Sequence, residues 1–161
     1  MQNTYKEKPK VVIFPARMSP HYFFSLFDEA HQPGRRVFFL LSMRQVEDIV
    51  KELPVCPVPF APPHIEGIAE WRGHVVPVIS LEEWLGMHPE EAVSPDSARL
   101  ISLRTSGITR GRTLIRTGTE IRIMPVPVSS VPRPSEVRWA PDKECVKGVY
   151  EWAEGWLLVI A

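Results

Sequence analysis

Cysteine is scarce in this sequence, with two residues in 161, at positions 56 and 145. That excludes a disulfide framework and any paired-cysteine zinc spacing, leaving at most a single bridge or two ordinary thiols. Long hydrophobic runs are also missing. Val11-Val12-Ile13-Phe14 stops at Pro15, too short for a signal peptide core, and no window approaches the roughly 18 apolar residues of a membrane span. The chain reads as cytoplasmic, with no direct membrane insertion. Net charge is absent too: 19 Lys+Arg balance 19 Asp+Glu. A broadly basic nucleic-acid-coating protein is thereby excluded. What is abundant is proline, 17 residues, about twice average usage. Proline interrupts helices and central strands, so short elements are expected. With 44% apolar and 24% charged residues, the chain can bury a core, and its length allows one domain or two small lobes sharing one.

Along the chain, residues 1–20 read as a tail or a peripheral strand. His21 to Phe27 and Arg36 to Leu41 are strand-like around Pro33-Gly34, consistent with a hairpin. Ser42 to Val50 (SMRQVEDIV) fits a helix with Ser42 and Gln45 as a capping box, or a short bent strand. Residues 54–63 hold five prolines and read as a stiff extended connector. His64 to Gly67 suits a short turn. Trp71-Arg72-Gly73-His74 is a tight turn leading into Val75 to Ile79, where Pro77 points to an edge or a bulge. Leu81 to Leu85 suits one or two helical turns ending at Gly86. Residues 89–96 form a polar linker and mark the lobe boundary. Further on, Arg99 to Leu103 is a strand, and Thr113 to Arg116 with Glu120 to Met124 flank Thr117-Gly118-Thr119 as a hairpin. Pro125, Pro127, Pro132 and Pro134 enclose a second extended connector, and Val146 to Val149 and Trp156 to Ile160 close the chain. Short strands with Gly/Pro turns and few short helices indicate an all-β fold of small barrels. Leu26, Phe38, Leu40, Val46, Ile49, Val76 and Val78 are the expected core.

Residues 58–87 carry the most specific pattern. Val58, Pro59, Pro62, Gly67, Arg72, Gly73, Pro77, Val78, Ile79 and Leu81, followed by Leu85-Gly86, resemble the CheW-like domain, the adaptor module of bacterial chemotaxis-type signalling. Phe39 to Val50, Lys147-Gly148-Val149 and Trp156 to Ile160 resemble its flanking parts, so the likeness spans residues 22–161. The resemblance implies two small five-stranded SH3-like β-barrel lobes around a shared hydrophobic centre, one domain over 21–161, and no catalytic site. It implies contacts with the regulatory domain of a CheA-type histidine kinase through barrel ends, and with the cytoplasmic tip of a chemoreceptor through the groove between lobes. Such contacts recruit the protein to membrane receptor arrays. The chain departs from the family pattern at Glu70-Trp71 (usually Asn-Leu), Ser80 (Asp), Glu82 (Arg) and Ile121 to Pro127, which marks a specialised member in which one partner contact is altered.

The candidate partner-binding residues are Arg72, Trp71, Glu70, Gly73, Val46 and Arg122. Arg72 presents a rigid fork of donors; it serves either a partner surface or an internal pair with Glu70 or Glu66. Trp71, Trp84, Trp152 and Trp156 suit core or inter-lobe packing, with interface anchoring as the rival role. Gly67 and Gly73 suit backbone needs. No cofactor, metal or small-molecule substrate is expected. His64, His74 and His88 lie near Cys56, but a nucleophilic pair requires convergence in space. No nucleophile elbow, zinc-protease or phosphate-loop motif occurs. Finally, residues 99–138 hold eight arginines (99, 104, 110, 112, 116, 122, 133, 138) against Glu120 and Glu136. That patch suits an acidic protein face. The alternatives are a solvated face and single-stranded nucleic acid, although stacking aromatics are missing before Trp139.

Overall fold

The computed structural model describes residues 9–17, 36–87, 98–104, 111–127, 131–132 and 145–161. Eleven strands and one short helix follow in order: β1 Lys10–Pro15, β2 Arg36–Ser42, β3 Val46–Lys51, β4 Ile65–Trp71, β5 His74–Ile79, α1 Leu81–Trp84, β6 Ala98–Arg104, β7 Arg112–Gly118, β8 Arg122–Pro125, β9 Val131–Pro132, β10 Val146–Trp152 and β11 Gly155–Ile160. They form two sheets, ordered β8-β1-β2-β11-β10-β9 and β3-β6-β7-β5-β4.

The sheets share one plan. In the second, the β4–β5 hairpin joins β7 in parallel, and β6 and β3 continue antiparallel. In the first, the β10–β11 hairpin joins β2 in parallel, and β1 and β8 continue antiparallel. The two-residue β9 is an addition on the outer side of β10. The expected pair of five-stranded lobes is therefore present, with one lobe extended by β9.

Strands in the first lobe are apolar on both faces because both faces are buried. Val11, Ile13, Phe38, Leu40, Trp152 and Leu157 fill that lobe's own core. The alternate residues Val12, Phe14, Val37, Phe39 and Leu41 turn the other way into a shared centre with Leu81, Leu85, Met87, Ile101, Ile115 and Trp156. The second lobe has its own filling of Ala69, Trp71, Val76, Val78, Leu100 and Leu114. Of the expected core, Phe38, Leu40, Val76 and Val78 are buried, and Val46 and Ile49 pack half-buried on the shared centre. Leu26 lies outside the described residues, as does the strand expected at 21–27.

Several local readings differ from the structure. Residues 10–15 form an interior strand, paired on one side with β2 and on the other with β8. The chain changes sheets at the turn 43–45 and again at 119–121, whereas β5 and β6, on either side of 88–97, belong to one sheet. Residues 42–50 are a turn and a strand. The Ser42 N–H donates to Gln45 Oε1 at 2.9 Å and the Gln45 N–H to the Ser42 carbonyl at 2.9 Å, so capping-box chemistry closes a turn here instead of opening a helix. Residues 65–67 already belong to β4. The hairpin expected around 117–119 does not form: β7 is flanked by β6 and β5, and β8 pairs with β1 in the other sheet. With both edges of β7 occupied, the next strand has to cross over.

Pro77, expected at an edge or a bulge, lies instead in a strand flanked by β4 and β7. It precedes the point where β7 joins β5, at Val78 and Ile79, so its missing N–H costs no ladder bond on that side. The expected helical turn forms and Gly86 follows it at φ 74°. Ser80, which sequence reasoning did not single out as a cap, accepts from the Glu83 N–H at 3.3 Å.

Candidate docking surfaces

Each lobe ends in a tryptophan roofed by arginines. In the second lobe, β4 and β5 are joined by the two residues Arg72 and Gly73, Trp71 pairing with His74. Their φ values of 50° and 77° are those of a type I′ turn, the hairpin form that glycine favours. Trp71 is buried, and its indole is covered by Arg72, 4.4 Å from the ring centroid to the guanidinium carbon, and by Arg112 at 5.5 Å. The exposed Arg72 reaches across to β3, with Nη1 3.4 Å from Glu47 Oε1 and Nη2 3.1 Å from Asp48 Oδ2. Two consecutive acids face one guanidinium because β3 carries a bulge between Val46 and Asp48. Glu47 also meets Arg112 Nε at 3.2 Å and accepts from the buried Ser102 hydroxyl at 3.4 Å.

These bonds join the two edges of the sheet, β3 and the β4–β5 hairpin. Lower down, Cys56 and Ile68 exchange backbone bonds of 2.8 and 2.9 Å, and Arg116 is held by Glu52 at 2.6 Å and by Glu66. Burial, the largest single influence, pulls the Arg116 pKa down. The hydrogen bonds and charges of Glu52 and Glu66 together outweigh it and hold the group above its ordinary value.

The first lobe repeats the device with the charges exchanged. Trp152 pairs with Gly155 across the turn Ala153-Glu154. Its ring lies under Arg122 at 5.5 Å and edge-on to Phe38 at 5.1 Å, while Arg36 covers Phe38 at 5.1 Å. Arg122 on the edge strand β8 bonds Glu154 of the turn at 2.7 Å, and Arg36 bonds Glu120 at 2.8 Å. The Glu154 hydrogen bond raises Arg122, Arg122 in turn lowers Glu154, and Arg36 lowers Glu120.

Of the predicted site residues, the structure brings Trp71, Arg72 and Gly73 together at one barrel end. Val46 is half-buried at the start of β3, next to the Arg72 partners Glu47 and Asp48. Glu70 is exposed on β4 and is not the partner of Arg72; Glu66 belongs to Arg116. Arg122 sits at the end of the other lobe. Sequence reasoning missed Glu47, Asp48, Arg112, Arg36 and Glu154. The signal for the second end was the repeated Glu-Trp before a two-residue turn, at 70–71 and 151–152.

Ser80 and Glu82, where the chain departs from the family pattern, are each 1% exposed. They are interior residues. Trp84 is partly exposed and stands edge-on to His64 at 4.3 Å, whereas Trp156 is buried in the shared centre. The exposed Cys56 places Sγ 3.9 Å from the Pro57 carbonyl oxygen. His88 and arginines 110, 133 and 138 lie outside the described residues. Of the described arginines in 99–138, three (112, 116 and 122) bond carboxylates, so much of the apparent basic patch is internally neutralised. Arg104, beside a cleft of ≈ 540 Å³ with His74, Val75 and Pro77, has no carboxylate partner among the described residues. Among those residues no helix is long and apolar enough to cross a membrane.

Comparison with known proteins agrees with this architecture. No curated protein matches the chain. Among solved structures, the scaffolding protein TtCheW from Thermoanaerobacter tengcongensis superposes with a TM-score of 0.67 at 20% identity, over 100% of this chain and 89% of that one. The pattern of the CheW-like domain matches residues 32–161, and the chain belongs to the CheW-like domain family.

Proposed function

We propose that this chain is an adaptor of a chemotaxis-type signalling system, coupling the cytoplasmic tip of a chemoreceptor to the regulatory domain of a CheA-type histidine kinase. It acts by holding partners in register and makes or breaks no bond. The observation that carries the reading is the pair of matching barrel ends. Each presents two guanidiniums over a buried aromatic pair or indole, with carboxylates beside them. Arginine and tryptophan dominate binding hot spots, and mixed charge at a rim selects partner and orientation. Two such ends on one chain let it bridge two domains. Arg72, Trp71, Gly73 and Glu70 contribute to one end, with Val46 behind it, and Arg122 to the other. Recruitment to receptor arrays follows from these contacts.

The test is a titration of the kinase regulatory domain and, separately, of a receptor tip into the full chain and into folded Arg72→Ala and Arg122→Ala variants. Saturable micromolar or tighter binding, weakened by at least about tenfold in one variant, supports the role. Absence of binding to both partners overturns it. The pairing of the 99–138 arginines with glutamates disfavours nucleic acid, and salt-sensitive binding to single strands would revive that reading.

A further inference from the structure

The deepest charge among the described residues belongs to neither barrel end. Glu82, the second residue of α1, is buried with its side chain 1% exposed. Its Oε1 accepts from the Arg17 N–H at 3.1 Å and from Arg17 Nε at 3.3 Å. Its Oε2 accepts from Arg17 Nη2 at 3.3 Å and from the Ser80 hydroxyl at 3.2 Å. Arg17 Nη2 lies 3.6 Å from Glu66, which in turn holds Arg116. Five members of this chain of charges, Glu52, Glu66, Ser80, Glu82 and Arg116, come from the second lobe or the helix that follows its β5. Arg17 alone comes from the first. It lies two residues past the end of β1, and the intervening Ala16 N–H is tied to the Val37 carbonyl of β2 at 2.8 Å.

We infer that Arg17 and Glu82 are an inter-lobe latch that fixes the angle between the two barrels. Among the described residues the rest of the junction is mainly the shared apolar centre, where Leu81, Leu85 and Met87 cluster with Phe14 and Phe39. Apolar burial is non-directional and by itself specifies no single inter-lobe geometry. A forked guanidinium meeting both oxygens of one carboxylate has a single good geometry. A buried carboxylate that loses its cation is strongly penalised, so the lobes are held where Arg17 reaches Glu82. This role also accounts for Ser80, whose hydroxyl donates to the same Oε2 that Arg17 Nη2 meets, accepts from that Nη2 at 3.5 Å, and caps α1.

The inference separates lobe angle from stability, and the experiment reads both. Spin labels at the exposed positions 75, on β5, and 123, on β8, in a Cys56→Ser/Cys145→Ser background report the inter-lobe distance; urea unfolding of the same proteins reports stability. The parent should give one narrow distance. Arg17→Met should broaden it and raise the unfolding equilibrium constant by roughly 100-fold or more, the scale of an orphaned buried charge. Arg17→Met/Glu82→Met removes both charges and should regain most of that stability while the distance stays broad. A narrow distance in the double variant, or in a folded Arg17→Met protein, overturns the latch. If Arg17→Met does not fold, Glu82→Gln, neutral and isosteric, takes its place: it should broaden the distance, and an unchanged distribution overturns the inference equally.

Discussion

Arg72 and Glu154 lie in corresponding two-residue turns of their two lobes, as first and second turn residue respectively, with opposite charge. Each sits in the two-residue turn after a buried tryptophan, and each reaches an ion partner on its lobe's edge strand, Glu47 and Asp48 on β3 for Arg72 and Arg122 on β8 for Glu154. The turn and the edge strand are the two borders that a curling sheet brings together, so an ion pair there closes a barrel whichever border carries the cation.

Removing Arg72 should therefore disturb the surface and spare the fold. Its side chain is half-exposed, and exposed pairs contribute about 0–1 kcal/mol. Arg72→Ala is expected to lose no more than about 1 kcal/mol by urea unfolding. Trp71→Ala, which empties the centre of the second core, is expected to lose about 3–5 kcal/mol. Comparable losses in the two variants would mean that Arg72 supports the core directly.

Two glycines should behave differently although both have positive φ. A Cβ at Gly155 would lie 2.1 Å from the Arg36 carbonyl oxygen, where β11 and β2 run in parallel. Gly155→Ala has to push two paired strands apart, and its loss should exceed the usual 0.5–3 kcal/mol range of point substitutions. Gly73 has open space around it, so Gly73→Ala should cost only the conformational penalty of a left-handed residue, about 1–2 kcal/mol. Thermal unfolding of both variants reads the difference.

Phe60 is fully exposed at φ 63° in the proline-rich connector. An L-residue there is strained by about 1–2 kcal/mol, and asparagine tolerates the conformation better. Phe60→Asn is expected to hold or raise the midpoint of thermal unfolding. A clear fall would show that the ring contributes to the fold.

The ion pairs of the first lobe should give a small acid-side dependence. Glu154 and Glu120 titrate below their ordinary value because Arg122 and Arg36 bond their charged forms. For a lowered carboxylate, the stabilisation is complete above the unfolded-state pKa and is lost as pH falls through the folded-state one. Both groups are at the surface, so the effect should be modest and should fade at high salt. Carbon-detected NMR titration of Arg122→Met should show Glu154 returning toward the ordinary carboxylate range. An unmoved Glu154 would place the cause elsewhere.

Strand content, the tight turn at Arg72-Gly73, the short helix ending at Gly86 and the absence of a helix or ladder strand over 54–63 were all legible in the sequence. Each follows from local rules: glycine at positive φ, and a proline ring that cannot donate. The family pattern over 58–81 also lies within one hairpin and its approach. What tertiary structure decided was every relation between distant segments. Sequence placed β7 and β8 in one hairpin, but β7 already has two neighbours and β8 pairs with β1. It offered Glu70 or Glu66 to Arg72, but alternation, a bulge and sheet closure brought Glu47 and Asp48. It showed Glu82 only as a departure from the family pattern; a buried carboxylate needs a cation, and that cation arrives from position 17. Charge has long reach and no sequence periodicity, so a side chain's ion partner is set by where the backbone carries it, whereas turns and caps are set by the few residues that form them.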